Sequence, residues 1–239
     1  MKTIVAIGGI DENSTLEGIE KELIRLTKKK NPKMLFLPTA GGDDTRNYKL
    51  VKNIFENSYN CHVDVLFLVN EEPSQEKIKH KVYSSDIIYV GGGSVARLMS
   101  YFNKFNMKKI FQEASERGII IAGMSAGAIC WGRDYLDIYS SNNHTVIECI
   151  NLLDLIFCPH YNKNSFQNYV REFDNRIKEY EIVGIALDNN CAIEFVGNKY
   201  RVITTKDNAN AYKLYIRNSE LTREVINKES QYRDIKELY

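Results

Sequence analysis

Short apolar runs that close on glycine or polar turns alternate along this chain with longer segments of helical period, the mark of β-α-β units around a mainly parallel sheet. Residues 3–7 form the first run. Asn13 and Ser14 then offer helix caps, and Leu16, Ile19, Leu23 and Leu26 recur as the stripe of an amphipathic helix ending in a solvated lysine cluster at 28–30. Residues 34–37 predict a second strand, stopped by Pro38-Thr39-Ala40-Gly41-Gly42; 48–55 predict a helix, 63–69 a third strand and 77–83 a short helix. Ile87-Ile88-Tyr89-Val90 runs straight into Gly91-Gly92-Gly93-Ser94, and one helix is expected from about 95 to 116. Residues 119–122 are the most β-prone run of all and open directly into Gly123-Met124-Ser125-Ala126-Gly127.

The pattern then changes. Residues 134–143 read as polar and irregular, and 152–158 as apolar up to Pro159-His160. Asn164 and Ser165 can cap a helix whose stripe is Phe166, Tyr169, Val170, Phe173 and Ile177. Residues 182–187, 192–195, 200–204 and 211–217 predict short strands, so the tail is more antiparallel than the front. Without an internal repeat or a Pro/Ser-rich linker, one α/β domain is expected over 1–239. Every candidate catalytic part falls in its first 165 residues or so, and the remainder reads as framework closing the sheet.

Composition narrows the classes. With 44% hydrophobic and 26% charged residues, 14 Gly and 4 Pro, the 239-residue chain is neither disordered nor fibrous. Lys and Arg number 32 and Asp and Glu 31, a net +1, which leaves no basic field for nucleic acid and implies a small partner. The 5 cysteines, Cys61, Cys130, Cys149, Cys158 and Cys191, form no C-x-x-C pair, so a reducing cytoplasm fits better than a disulfide framework or a zinc ribbon. The first apolar run is too short for a signal peptide, and no segment approaches the roughly 20 apolar residues that span a bilayer.

Gly123-Met124-Ser125-Ala126-Gly127 satisfies the G-x-S-x-G nucleophile elbow in its required context of buried strand, tight turn and helix. Small neighbours leave room for the strained turn and for a substrate carbonyl, and the N–H of Ala126 is aimed at the developing oxyanion, assisted by the following helix dipole. A serine needs a base, and there are 4 histidines. His62 and His80 read as structural or surface residues, and His144 lies in a polar stretch. His160 follows an apolar run and a proline, at a strand end, where α/β sites are assembled. The glycines 91–93 admit three readings: a weak phosphate loop, a second oxyanion donor beside Ala126, or a tight turn.

Leu37-Pro38-Thr39-Ala40, Tyr89-Val90-Gly91-Gly92-Gly93-Ser94, Gly123-Met124-Ser125-Ala126-Gly127-Ala128 and Cys158-Pro159-His160-Tyr161-Asn162, in that order, resemble the peptidase S51 family, which includes aspartyl dipeptidases of the peptidase E type and cyanophycinases. The resemblance implies a class I glutamine amidotransferase-like, flavodoxin-like three-layer α/β fold with serine in place of the elbow cysteine. It also implies serine peptidase activity with no metal or organic cofactor. Ser125 matches the family nucleophile, His160, 35 positions later, the base, and Gly92 and Gly93 the oxyanion loop, with Ser94 where asparagine is frequent. For the third member the acids after the elbow are Asp134 and Asp137, of which Asp137 sits closer to the family offset. In cyanophycinase-like relatives a glutamate after a later strand serves; that position here is Asn189, beside Asp188 as a third choice.

Such a site implies attack of Ser125 on a scissile carbonyl, with His160 relaying the proton to the leaving amine and Ala126 with Gly92 or Gly93 holding the oxyanion. A small peptide is the expected substrate. Preference for an N-terminal aspartate requires a placed cation, for which Arg171 and Arg97 are candidates. Other readings are a serine amidase or esterase on the same fold and a peptide-binding homologue that has lost the triad. An exposed edge in the antiparallel tail admits a homodimer.

Overall fold

The computed structural model describes residues 1–138, 145–228 and 231–239. Five strands, β1 (Thr3–Ile7), β2 (Lys33–Leu37), β3 (His62–Val65), β4 (Ile87–Val90) and β5 (Ile120–Met124), lie parallel in the order β1-β5-β4-β2-β3. Helices α1 (Glu17–Thr27), α2 (Thr45–Tyr59), α3 (Gln75–Tyr83), α4 (Val95–Lys104) and α5 (Met107–Glu116) connect or follow them. Side chains alternate across a strand, so both faces of the sheet are apolar. Val5, Ile7, Phe36, Tyr89 and Ala122 meet Ile19, Leu23 and Phe55 of α1 and α2. Ile4, Ala6, Leu35, Ile88 and Ile121 meet Ile78, Phe102 and Phe111 of α3, α4 and α5. The result is an α/β fold of three layers.

Two front elements differ from their sequence patterns. The helix expected over 95–116 is two helices, because Asn106 adopts the left-handed conformation (φ 52°) that asparagine tolerates. Strand β3 ends at Val65 rather than continuing to 69: the chain bends away, Leu66 and Leu68 turn into the core, and the Asp43 carboxylate accepts from the N–H groups of Val69 (2.6 Å) and Asn70 (3.0 Å).

The elbow helix α6 (Ala126–Ile129) is only 4 residues long. The stretch expected to be irregular begins with a regular strand, β6 (Asp134–Asp137), paired antiparallel with β7 (Thr145–Glu148). Beyond them lie β8 (Ile156–Cys158), α7 (Gln167–Tyr180), β9 (Gly184–Leu187), β10 (Cys191–Val196), β11 (Lys199–Thr204), β12 (Ala211–Arg217), β13 (Glu220–Ile226) and β14 (Arg233–Asp234). Strand β10 joins the main sheet antiparallel to β1, followed by β11 and β14, whereas β8, β9, β12 and β13 form a second sheet. The tail is antiparallel as expected except that β9 runs parallel to β8.

This topology assembles the site. Ile7 lies beside Met124 on one side and Ala192 on the other, so the start of β10 reaches the carboxyl edge of β1 and β5. Cys158 pairs with Ala186, which ends β8 and β9 at one level. Ser125, His160 and the turn 188–190 therefore converge, as ligand sites do at the carboxyl edge of parallel sheets.

Candidate active site

Ser125 follows β5 directly with φ 58° and ψ −116°, a sparsely populated conformation that costs on the order of 1–3 kcal/mol. Its neighbours make the turn possible. A Cβ on Gly127 would lie 2.2 Å from the carbonyl oxygen of Val90, and one on Gly123 2.2 Å from that of Gly127, so helix and strands cross too closely for any side chain. The turn is anchored by the N–H of Ser125, which donates to the Ile7 carbonyl (3.0 Å).

His160 Nε2 is 2.9 Å from Ser125 Oγ. On the other side of the ring, Nδ1 is 2.6 Å from Oδ1 of Asn189, which is 2% exposed. The amide nitrogen of Asn189 is committed as a donor to the Ile10 carbonyl (2.9 Å) and the Asp11 carboxylate (3.0 Å), so its oxygen faces the imidazole. That assigns the proton to Nδ1 and leaves the Nε2 lone pair for the serine hydroxyl. The ring is further fixed by Phe166, stacked at 4.5 Å between centroids. Burial, and secondarily the Lys163 ammonium, lower the His160 pKa below its ordinary value, opposed by the hydrogen bond to Asn189.

The glycine loop lies against the nucleophile: a Cβ on Gly92 would be 3.2 Å from Ser125 Cβ. Among the described residues the N–H groups of Gly92, Gly93 and Ala126 have no backbone acceptor. Ser94 lines the cavity beside Ser125, and its hydroxyl caps α4 by accepting from the N–H of Arg97 (3.2 Å). A cavity of about 280 Å³ opens beside Ser125 and Ala126, walled by Gly93, Tyr135, Phe166 and Tyr169. A larger one, about 570 Å³, lies by Met1, Arg25, Lys199 and Tyr232 at the opposite strand ends, remote from the serine.

The acids fall elsewhere than the chain offsets indicated. Asp137, expected on the histidine, ends β6 in the cavity wall, while Ser125 and Asn189 occupy both ring nitrogens of His160. Its hairpin carries it along the pocket, not behind the imidazole. Asp134 is buried against the Arg176 guanidinium (3.1 Å). Asp188 turns away, accepting from the N–H of Asn210 (2.9 Å), and burial raises its pKa. Of the other histidines, His62 and His80 are exposed and His144 lies outside the described residues. Arg97 is bonded to the Ala40 carbonyl (3.0 Å) and Arg171 to Asn168 (3.0 Å), and neither lines the cavity.

Two contributors carry no motif of their own. Gly9, at the end of the loop's first turn after β1, has φ 149°, and a Cβ there would sit 2.4 Å from both Asn189 Oδ1 and His160 Cε1. Asp11 holds the amide that holds the histidine. The visible signal was Gly8-Gly9 itself, a third glycine pair at the carboxyl end of a strand.

The chain belongs to peptidase family S51: the sequence model of that family matches residues 4–203. It is 28% identical over 226 residues to the uncharacterized peptidase YgaJ of Bacillus subtilis (strain 168), covering 92% of this chain and 95% of that protein. It is 29% identical over 116 residues to the uncharacterized peptidase Lmo0363 of Listeria monocytogenes serovar 1/2a, covering 44% of this chain and 57% of that one. Among solved structures, a peptidase from an acI-B1 Actinobacterium shares the fold with a TM-score of 0.72 at 17% identity, over 98% of this chain and 97% of that one. A Listeria monocytogenes EGD-e protein described as of peptidase E type does so with a TM-score of 0.69 at 21% identity, over 86% and 100%.

Proposed function

We propose that this S51 family peptidase is a serine exopeptidase of short peptides, with Ser125 as nucleophile, His160 as general base and acid, and Asn189 as the group that orients the imidazole. The observation that carries the reading is the chain of two hydrogen bonds, 2.9 Å from Ser125 to His160 and 2.6 Å from His160 to Asn189. His160 Nε2 takes the Ser125 proton as Oγ attacks the scissile carbonyl, and the N–H groups of Ala126 and of Gly92 or Gly93 hold the oxyanion. Collapse breaks the C–N bond and sends the proton from His160 to the leaving amine. Water then repeats the sequence on the acyl-enzyme, releasing the acid and restoring Ser125.

Asparagine in the third position is chemically sufficient, as in cysteine peptidases built on Cys-His-Asn: it fixes the tautomer without adding a charge. A cavity of about 280 Å³ supports a short substrate. Its described lining carries one ionisable group of carboxylate type, Asp137, and no lysine or arginine, so a preference for an aspartate side chain has no cation to support it. The five cysteines are buried and unpaired, which supports a reducing, cytoplasmic setting. No helix among the described residues is long and apolar enough to cross a membrane.

The test is labelling by a fluorophosphonate probe followed by a panel of dipeptides and aminoacyl-p-nitroanilides. The expected result is covalent labelling of the wild type, none of Ser125→Ala, and cleavage of at least part of the panel. Equal labelling of Ser125→Ala removes the serine from its role, and ester turnover with no amide cleavage replaces the peptidase by an esterase.

A further inference from the structure

Resting on the Ser125–His160–Asn189 reading, we infer that Asp11 is a fourth, positioning member of the relay, held by Lys163 and Lys206, which fixes the Asn189 amide with its oxygen toward His160 and offsets the Lys163 ammonium beside the imidazole. An asparagine differs from a carboxylate in one decisive way: its side chain has a donor end and an acceptor end of nearly the same shape. With the amide turned over, Nδ2 would face His160, which would then have to offer a lone pair at Nδ1 and carry its proton at Nε2, the wrong side for a base. Something must reject that orientation. Asn189 Nδ2 has two acceptors, the Ile10 carbonyl at 2.9 Å and Asp11 Oδ1 at 3.0 Å, and only the second carries a full charge.

Asp11 is itself held on both oxygens. Lys163 Nζ lies 2.7 Å from Oδ1 and Lys206 Nζ 2.8 Å from Oδ2. Its backbone is docked on the same turn, since the N–H of Asp11 donates to Oδ1 of the fully buried Asn190 (3.0 Å). These lysines hold its pKa far below the ordinary carboxylate range, so it is ionised throughout the working pH range of a peptidase. The cluster joins three segments distant in sequence: the loop after β1, the residues between His160 and α7, and the loop after β11. Among the described residues the charged groups around His160 are Lys163 on its own segment, Asp11 and Lys206 behind Asn189, Asp188 next to Asn189 and Asp137 across the cavity, whose wall also carries the phenols of Tyr135 and Tyr169. Of these, Lys163 depresses the His160 pKa, and Asp11 is its direct ion-pair partner.

Two effects are therefore separable. Asp11→Ala removes the acceptor and the charge two hydrogen bonds behind the reacting imidazole, and should lower kcat by about tenfold, with KM within about twofold. Asp11→Asn keeps an acceptor for Asn189 but leaves Lys163 uncompensated. It should recover most of kcat, while the acid limb of kcat/KM moves to lower pH because a cation beside the imidazole disfavours its protonated form. Lys163→Met should move that limb the opposite way, to higher pH. A role confined to holding the loop together predicts no such opposed pair of shifts.

The experiment is the pH profile of kcat and KM for wild type, Asp11→Ala, Asp11→Asn and Lys163→Met on an aminoacyl-p-nitroanilide. The His160 imidazole is followed in parallel by NMR of 15N-histidine-labelled protein, its resonances assigned by their loss in His160→Gln. The inference holds if kcat falls in Asp11→Ala, returns in Asp11→Asn, and the His160 titration moves in opposite directions in Asp11→Asn and Lys163→Met. It is overturned if Asp11→Ala turns over like wild type, or if Asp11→Asn is no better than Asp11→Ala and leaves the titration unmoved. If Asp11→Ala does not fold, the opposed titrations of the other two variants decide. Full activity of Ser125→Ala or Asn189→Ala would instead overturn the Ser-His-Asn reading, a separate result.

Discussion

The parallel front and the mixed tail contribute unlike things to one site. In the proposed relay the front supplies the nucleophile Ser125 and the donor Ala126 through a single local turn, where β5, Ser125 and the crossing of Gly123 with Gly127 lie within a few residues of one another, and Gly92 and Gly93 from the adjacent loop after β4. The tail supplies Asn189, 64 positions after the serine, held by Ile10, Asp11 and Asn162, none of them local to it. The nucleophile is thus a property of a short segment, whereas its orientation is a property of the topology, arising where β9 leaves one sheet and β10 enters the other beside β1.

The comparison can be broken from either side. Ser125→Ala should carry the largest effect, a loss of turnover of about 10⁵- to 10⁶-fold with the fold intact, checked by kcat and by an unchanged thermal midpoint. Asn189→Ala should follow, with kcat reduced by about a hundredfold to ten-thousandfold as the imidazole loses its tautomer. Gly9→Ala asks whether the junction must be as tight as it is: a methyl 2.4 Å from Asn189 Oδ1 must displace the His160–Asn189 pair, and a shift of about 1 Å costs roughly a hundredfold in rate.

The pH profile sharpens the comparison further. His160 must be neutral to act as base, and burial lowers its pKa, so activity is present above that lowered value and lost as pH falls through it. The acid limb of kcat/KM should lie below the ordinary histidine value of about 6.5. Smallest of all is Arg171→Ala, whose 69% exposed side chain is bonded only to its own helix among the described residues; kcat/KM should stay within about twofold on any dipeptide, including one that begins with aspartate.

Most of the fold was legible because the front repeats one grammar: apolar run, glycine, amphipathic helix. Ser125, His160, Gly92, Gly93 and Ala126 converge because each sits at a strand end that this grammar marks. The errors have physical reasons. A left-handed asparagine does not interrupt an apolar stripe, so Asn106 hid the break between α4 and α5. Phe166 satisfied the helix period yet stacks on His160 from the turn before α7. Asp137 matched an expected offset, but offsets along the chain say nothing of which side of an imidazole a hairpin passes. The tail that read as framework places Asn189 on the histidine, at the position where the cyanophycinase-like resemblance has a glutamate, and it was passed over because an amide carries no charge.

The most direct test of this division between front and tail is the second-order rate of Ser125 phosphonylation by a fluorophosphonate, in which Oγ attacks phosphorus and fluoride leaves, measured side by side in wild type, Asn189→Ala and Asp137→Ala. Because phosphonylation needs the base but no peptide-sized substrate, it reports on the relay apart from the pocket. The account predicts a fall of about a hundredfold or more in Asn189→Ala and a rate within about threefold of wild type in Asp137→Ala. A slow Asp137→Ala beside a wild-type Asn189→Ala would contradict it and move the partner of His160 from the turn after β9 to the β6 hairpin.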